Sequence, residues 1–162
     1  MVLSDIESAG ILSLARERGL RAEFVHPGKF RTKMEPEREQ HLAELLKQAD
    51  VDLVVLAGYM RMIKAPLLDA FQRRIINIHP SLLPAFPGLE AWKQAVEAKA
   101  AKSGCTVHYV DGGMDTGEII AQAEVPMFPD DTPETLHARI QLQEHRLYPE
   151  VLARLAATND VR

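Results

Sequence analysis

Two polar residues, Asn77 and His79, stand at the end of an apolar run, and a glycine-flanked aspartate, Asp115, follows later in the chain. Side chains on a strand alternate between its faces, so Asn77 and His79 share one face at a strand's carboxyl end, where open α/β sheets bind ligands. An amide and an imidazole can stabilise an oxyanion, and a carboxylate can favour the charged imidazole and help to move a proton. These residues therefore suit attack on a carbonyl carbon, provided that folding brings Asp115 to the other two.

The pattern predicts acyl transfer in which the substrate supplies the attacking atom, because no serine or cysteine stands in an obvious activated setting. The chain has no G-x-S-x-G, H-E-x-x-H or P-loop signature and no pair of cysteines. Their absence disfavours a serine hydrolase, a zincin, a nucleotide triphosphatase and a structural zinc site. His79, His108 and His145 are far apart in sequence and could meet only through folding, so no metal site is predicted.

Each candidate also has a plain structural interpretation. A strand-end histidine can simply bond to backbone, and "DGGMDTG" (111–117) can be only a turn, since glycine supplies positive φ and aspartate bonds its own backbone. Met60 and Met62 follow the strongest predicted strand and could fill a core, although a strand-end loop also lines pockets. Gln141 and Glu144 share one face of the last predicted helix, which could be either solvated or the rim of a cleft.

Alternating strand and helix patterns must position these residues. They predict an α/β, Rossmann-like layered fold: a mostly parallel central sheet with helices on both faces and a C-terminal antiparallel strand pair. The predicted strands are "MVL", "AEFVH", "VDLVVLAG", "RIINIH", "CTVHYV" and "EIIAQAEV", and "VDLVVLAG" is expected to be covered on both faces. The predicted helices are "SAGILSLARERG", "EPEREQHLAELLKQAD" with Leu42, Leu45 and Leu46 buried, "APLLDAF", "LEAWKQAVEAKA", and a last helix capped by Thr132.

The composition is that of an ordinary globular protein, with 46% hydrophobic and 26% charged residues in a chain of 162. No window approaches the ~18 apolar residues of a membrane span. The net charge of -4 argues against nonspecific nucleic-acid binding, so the expected partner is a small molecule, with no nucleic acid and no membrane. The single cysteine, Cys105, can form no intramolecular disulfide, which favours a reducing compartment, the cytoplasm.

Four segments, "VDLVVLAGYMRMI", "INIHPSLLPAFPGLEAWKQAV", "GCTVHYVDGGMDTGEIIAQAEVP" and "QEHRLYPEVL", together resemble phosphoribosylglycinamide formyltransferase, a folate-dependent family of purine biosynthesis. The resemblance spans nearly the whole chain. It implies transfer of a formyl group from 10-formyltetrahydrofolate, as co-substrate and without a metal, to the amine of glycinamide ribonucleotide. A monomer or a homodimer is expected.

The resemblance also implies roles for individual residues. The catalytic asparagine, histidine and aspartate of the family fall on Asn77, His79 and Asp115. The folate positions fall on Met60, Arg61, Met62, Ile63, Asn77, Asp111, Gly112, Gly113, Met114 and Lys33, and the ribonucleotide positions fall on Gln141, Glu144 and Pro80.

The resemblance has one departure, at the front of the chain. Family members begin with a strand, a Gly-x-Gly-Ser-Asn loop whose amides hold the substrate phosphate, and a helix. Here "MVLSDIESAG" resembles the family's second strand instead, so we expect a single formyltransferase domain over 1–162 that lacks a first βα unit of roughly 25 to 35 residues. A start set too late, a fragment, and a relative that has given up its phosphate site are the three explanations.

Related folate enzymes remain as alternatives. Formyltetrahydrofolate deformylase normally has an extra N-terminal domain and other residues after its histidine, so "HPSLLPAFPG" favours the transferase. Methionyl-tRNA formyltransferase adds a C-terminal nucleic-acid-binding domain that would not fit in this length. A non-catalytic folate-binding remnant without the phosphate cradle is the alternative from a different class.

Overall fold

The computed structural model describes residues 1–158, which divide into two compact units. The first comprises residues 1–51 and 60–70, and contains β1 (Val2–Ser4), α1 (Gly10–Glu17), β2 (Ala22–Phe24), α2 (Pro36–Gln48) and α3 (Ala65–Ala70). The second comprises residues 52–59 and the chain from 71 onward, and contains β3 (Val54–Leu56), β4 (Ile75–His79), α4 (Ala91–Glu97), β5 (Lys102–Tyr109), β6 (Ile119–Pro126) and α5 (Pro133–Thr158). The alternation confirms the α/β prediction.

The first unit contains a two-stranded parallel sheet, in which Val2 of β1 lies opposite Ala22 of β2. Two parallel strands need a crossover connection, and α1 provides it. α2 begins at Pro36, where a missing N–H costs no helical hydrogen bond, and it packs against α3. The predicted buried residues Leu42 and Leu46 are buried, whereas Leu45 is only half-buried.

The second unit contains a mixed four-stranded sheet in the order β3-β4-β5-β6. β3 and β4 are parallel, and the β4–β5 and β5–β6 pairs are antiparallel. The predicted C-terminal antiparallel pair is therefore confirmed. Gly104 of β5 is required by this pairing, because a Cβ there would collide with the backbone carbonyl of Ala123 on β6.

Two hydrophobic clusters fill the core of the second unit, and α5 contributes to both. Its Pro133 follows Thr132, whose hydroxyl accepts a hydrogen bond from Thr135 N at 3.3 Å, so the predicted cap is confirmed. The buried members are Ile76, Val107, Tyr148, Val151 and Leu155 in one cluster and Ala95, Cys105, Val125, Leu136 and Ile140 in the other. Burial of the α5 stripe against β5 and β6 fixes the strands that carry the polar residues described below.

The prediction that "VDLVVLAG" is covered on both faces is wrong. β3 is only three residues long, and Val55 is 42% exposed while Val54 and Leu56 are half-buried. Alternating exposure of this kind is typical of a strand covered on one face. The continuous apolar run misled the prediction, because hydrophobicity alone does not report how many layers cover a strand.

Within residues 1–158, none of the helices combines the length and the apolar character that crossing a membrane requires.

Candidate active site

The carboxyl end of β4 carries both Asn77 and His79. β4 is hydrogen-bonded on both sides, with Asn77 opposite Leu56 on β3 and opposite His108 on β5. The His79 side chain is buried at 4% exposure, and Asn77 is half-buried. A strand held by two neighbours is a rigid base, so the amide and the imidazole are presented with little freedom.

Both ring nitrogens of His79 face an oxygen atom. Nε2 lies 2.9 Å from the backbone carbonyl of Phe86, which can only accept, so Nε2 carries a proton. Nδ1 lies 3.5 Å from Oδ2 of Asp115. An imidazolium would direct its second N–H towards that carboxylate, whereas a neutral ring with its proton on Nε2 would turn a lone pair towards it. Each ring nitrogen of His79 thus faces an acceptor, one a carbonyl and the other a carboxylate.

Asp115 adopts a left-handed backbone conformation with φ of 55°, which aspartate tolerates better than most residues. Its Oδ2 accepts a hydrogen bond from Gly88 N at 2.8 Å, which joins two loops, and its Oδ1 lies 3.8 Å from Nε2 of His108. The loop geometry thus aims one carboxylate at two histidines. The sequence prediction that folding joins Asp115 to His79 agrees with this geometry.

The Asp115 loop is shaped by the side chain of Asp111. Oδ1 of Asp111 accepts hydrogen bonds from Gly113 N at 2.9 Å and from the Thr116 hydroxyl at 2.7 Å. Gly117 lets the chain pass close to β5, because a Cβ there would collide with the Tyr109 carbonyl. The glycines and aspartates of this loop therefore act as turn residues and also bring a carboxylate to the histidines.

His108 belongs to the same cluster, and sequence reasoning missed it as a site residue. It is buried on β5, and its Nδ1 lies 2.8 Å from the Tyr109 carbonyl, so Nδ1 carries the proton in the neutral ring. Burial lowers the pKa of His108 below its ordinary value, although the Tyr109 carbonyl and Asp115 oppose the shift. The free Nε2 then accepts from Asn77 Nδ2 at 3.4 Å, which orients the amide.

His108 is visible in the sequence, but its place in the site can be recognised only from the strand register that sets it opposite Asn77. A histidine inside the apolar strand "CTVHYV" is easily taken for a core residue, and only the antiparallel pairing of β4 with β5 sets it opposite Asn77. The pairing itself cannot be derived from local residue patterns, because it depends on contacts between distant segments.

Neither Cys105 nor Ser81 is placed to act as a nucleophile. Burial raises the pKa of the Cys105 thiol to about 11, and Glu144 adds to the effect, so the reactive thiolate is disfavoured. The buried hydroxyl of Ser81 donates to the carbonyl of Ala85 at 2.6 Å. The cluster can thus stabilise negative charge on a carbonyl oxygen and move a proton, but it does not itself form an acyl-enzyme.

The predicted folate residues Met60 to Ile63 lie in the first unit and form an anchored loop. Met62 N donates to the Thr32 carbonyl at 2.9 Å, and Met62 forms a β-bridge with Lys33. Arg61 pairs with Asp5 at 2.7 Å. Ile63 is buried, whereas Met60 is 65% exposed.

The side chains of Arg61 and Glu39 complete this anchoring. Arg61 also donates to the carbonyls of Phe30 and Arg31, and Lys64 N donates to the buried carboxylate of Glu39 at 2.6 Å. Burial raises the pKa of Glu39, and the bond from Lys64 opposes the shift. Lys33 is exposed, with Nζ 4.9 Å from the Phe30 ring. The structure therefore brings Lys33 to the Met60–Ile63 loop, and the folate role of these residues stays a prediction.

The predicted ribonucleotide residues lie in the second unit. Gln141 is exposed on α5, Glu144 is half-buried one turn later, and Pro80 directly follows His79. Burial raises the pKa of Glu144, while His145 lowers it. Their binding roles stay predictions.

Among residues 1–158, no three histidine, cysteine, aspartate or glutamate side chains are grouped as the ligands of a metal ion would be.

Comparison with known protein families identifies the family, since the family model described as Formyl transferase matches residues 1–152. The chain belongs to this formyl transferase family. Phosphoribosylglycinamide formyltransferase of Bacillus subtilis is 52% identical over 122 residues, covering 75% of this chain and 63% of the relative. The trifunctional purine biosynthetic protein adenosine-3 of Drosophila pseudoobscura is 47% identical over 162 residues, covering 97% of this chain and 12% of that protein.

Solved structures of formyl transferases agree with the fold. Glycinamide ribonucleotide transformylase 1 of Symbiobacterium toebii superposes with a TM-score of 0.90 at 49% identity, over 98% of this chain and 73% of that one. Phosphoribosylglycinamide formyltransferase of Streptococcus pneumoniae gives a TM-score of 0.88 at 42% identity, over 96% and 85%. The predicted Rossmann-like class and the resemblance to this family are confirmed. The chain spans less than two thirds of the length of the two curated relatives above.

Proposed function

We propose that this chain transfers a formyl group from 10-formyltetrahydrofolate to the primary amine of glycinamide ribonucleotide, a step of purine biosynthesis. The observation that carries the proposal is the cluster of Asn77, His79 and Asp115, which offers oxyanion stabilisation and proton transfer without an activated nucleophile. A reaction that needs no enzyme nucleophile is one in which the acceptor amine attacks directly. The printed names of the relatives agree with this chemistry.

In the proposed mechanism, the substrate amine attacks the formyl carbon, and a C–N bond forms as the carbonyl oxygen becomes an oxyanion. The carboxamide of Asn77 has two N–H groups. One donates to His108, and the other donates to that oxygen. The Nδ1–H of His79 is the second donor, because Nε2–H is retained by the Phe86 carbonyl. Its distance of 3.5 Å from Asp115 exceeds that of a normal hydrogen bond and leaves this proton available to the oxyanion.

Collapse of the intermediate breaks the bond between the formyl carbon and the folate nitrogen. The attacking amine loses a proton and the departing nitrogen gains one, so the transfer is balanced within the site. Asp115 supports this step by orienting His79 and by passing the amine proton to the departing folate nitrogen through water. No metal takes part in the proposed steps.

The two substrates are assigned to separate groups of residues. We assign folate binding to the Met60–Ile63 loop and Lys33 in the first unit, and to Asn77 and the backbone of residues 111–114 in the second. We assign ribonucleotide binding to Pro80, Gln141 and Glu144. The anchoring of the Met60–Ile63 loop and the exposure of Met60 support the first assignment. The half-buried Glu144 supports the second. The free thiol of Cys105 supports a cytoplasmic location.

The decisive assay supplies 10-formyltetrahydrofolate with and without glycinamide ribonucleotide and follows release of tetrahydrofolate. We expect turnover only when the ribonucleotide is present. Replacing His79 with glutamine should lower kcat by about 10² to 10³, the usual loss on removal of one oxyanion donor. His41→Gln, at an exposed position of α2, is the matched control and should retain wild-type kcat.

Two other outcomes would reject the transferase, and a third would reject His79 as its catalytic residue. Turnover that does not need the ribonucleotide would indicate a deformylase. Folate binding without turnover would indicate a non-catalytic remnant. Equal activity of His79→Gln and His41→Gln would place the chemistry elsewhere in the chain.

A further inference from the structure

The segment that follows His79 is fixed by a fully buried hydroxyl on the neighbouring strand. Thr106 is 0% exposed and lies directly opposite His79 in the β4–β5 register. Its Oγ1 donates to the Ser81 carbonyl at 2.7 Å and accepts from Leu83 N at 3.0 Å and from Gln122 Nε2 at 2.9 Å. A hydroxyl has one donor and two acceptor sites, so Thr106 uses its whole hydrogen-bonding capacity.

A second buried hydroxyl relays this anchoring to the histidine. Ser81 Oγ lies 2.6 Å from the carbonyl of Ala85 and 3.3 Å from that of Phe86, which closes the turn. The Phe86 carbonyl is also the group that accepts from Nε2 of His79. Phe86 has a left-handed φ of 54°, a conformation that a bulky residue keeps only where its surroundings hold it.

We propose that Thr106 is a positioning residue that sets the orientation of the His79 ring through the Ser81–Phe86 turn, and with it the tautomer that the ring adopts when it is neutral. This inference rests on the proposed function for its kinetic consequence but not for its structural one. Without the Thr106 hydroxyl, the Ser81 carbonyl and Leu83 N lose their partner in a buried place, and the turn relaxes. The Phe86 carbonyl then moves away from Nε2, so the ring loses its fixed orientation and Nδ1 is no longer held where it can donate to the oxyanion. When the ring is neutral, its proton is also free to occupy either nitrogen.

The test compares three substitutions on one strand. Thr106→Val keeps the side-chain shape and removes the hydroxyl, whereas Thr106→Ser keeps the hydroxyl and removes a methyl group. Ser103→Ala is the matched control, because Ser103 is a buried β5 hydroxyl without a hydrogen-bond partner among residues 1–158. For Thr106→Val we expect kcat to fall about tenfold, the equivalent of one lost buried hydrogen bond, with both KM values unchanged. Thr106→Ser and Ser103→Ala should remain close to wild type.

The second readout does not need turnover. Ring ¹⁵N chemical shifts of His79, assigned by their loss in His79→Gln and recorded at high pH where an imidazole is neutral, should show the proton on Nε2 in the wild-type protein and a mixture of tautomers in Thr106→Val. Thr106→Ser should restore the wild-type shifts. If Thr106→Val fails to fold, Gln122→Met should move the shifts in the same direction, because it removes a donor to Thr106 and a donor to the Leu83 carbonyl of the same turn.

The two proposals fail in different ways. A wild-type protein that transfers no formyl group would reject the proposed function. The ¹⁵N shifts of His79 would still test the role of Thr106, because they do not depend on turnover. Wild-type shifts in the folded hydroxyl-free variant, or equal kcat values for Thr106→Val and Ser103→Ala in an active enzyme, would overturn the positioning role.

Discussion

At the scale of single residues, the state of each polar group follows from the partner that faces it. The Phe86 carbonyl forces a proton onto Nε2 of His79, and the Tyr109 carbonyl forces one onto Nδ1 of His108. Burial lowers the pKa of His108, so it stays neutral at pH values where an ordinary histidine begins to charge. Two histidines beside one carboxylate thus take different roles, one suited to donating and one to accepting.

The first prediction concerns the charge on Asp115. Asp115→Asn keeps the size of the side chain but removes the negative charge that faces Nδ1 of His79. We expect kcat to fall by about 10², within the range typical of losing a proton-transfer group, because the amide cannot accept a proton as the carboxylate does. Steady-state kinetics with both substrates would measure the change, and kcat should fall more than either KM changes.

Asp52→Asn is the control for this substitution, since it removes the same charge at an exposed position. It should leave kcat unchanged. A fully active Asp115→Asn enzyme would show that the carboxylate is only a turn residue that accepts from Gly88 N.

At the scale of elements, an ion pair between Asp131 and Arg139 joins the loop before α5 to the second turn of that helix. Arg139 donates to both carboxylate oxygens of Asp131, at 2.9 Å and 2.7 Å, and Phe128 N also donates to that carboxylate at 2.7 Å. The hydrogen bonds from Arg139 hold the pKa of Asp131 well below its usual range. Because α5 packs on β5 and β6, this pair helps to hold the sheet that carries the site.

The second prediction is the pH dependence of this pair. A carboxyl group whose pKa is depressed in the folded state stabilises the fold above its unfolded pKa, about 3.9, and loses that contribution as the pH falls towards the folded value. Asp131→Asn should therefore lower the free energy of unfolding at pH 7 by about 1–3 kcal/mol. The difference from wild type should shrink between pH 4 and pH 3.

Urea unfolding at a series of pH values would measure this difference. Asp130→Asn, at the exposed neighbouring position, is the matched control and should unfold like the wild-type protein at each pH. A difference that stays constant from pH 7 to pH 3 would show that Asp131 acts through its shape rather than through its charge.

At the scale of the whole molecule, the single cysteine reports on unfolding. Cys105 is 0% exposed in the core of the second unit, and burial raises its thiol pKa to about 11. Since the thiolate is the reactive form, a thiol reagent should modify the native protein only through opening of this core. The third prediction is that one thiol reacts rapidly in urea and that its reaction is strongly slowed under native conditions.

Substrate binding should slow the native reaction further, because a ligand that binds only the folded state stabilises it. Labelling with and without tetrahydrofolate and glycinamide ribonucleotide would measure the effect by mass spectrometry. Rapid native labelling would contradict the burial of Cys105, and Cys105→Ala provides the background rate.

Local patterns in the sequence are sufficient to predict much of this structure. Alternation along "RIINIH" sets Asn77 and His79 on one face of a strand end. The stripe of Leu136, Ile140, Leu147 and Val151 predicts the last amphipathic helix, in which Leu147 is only half-buried. These features follow from residue spacing because a strand repeats every two residues and a helix every 3.6. The motifs likewise sufficed to indicate the formyl transferase family.

Only the tertiary structure decided which distant groups meet. The antiparallel β4–β5 register sets His108 opposite Asn77 and Thr106 opposite His79, and a left-handed turn returns the Phe86 carbonyl to the His79 ring. It also left Val55 exposed where its apolar neighbours predicted cover. Register, burial and proton positions depend on contacts between segments far apart in the chain, and no local spacing contains that information.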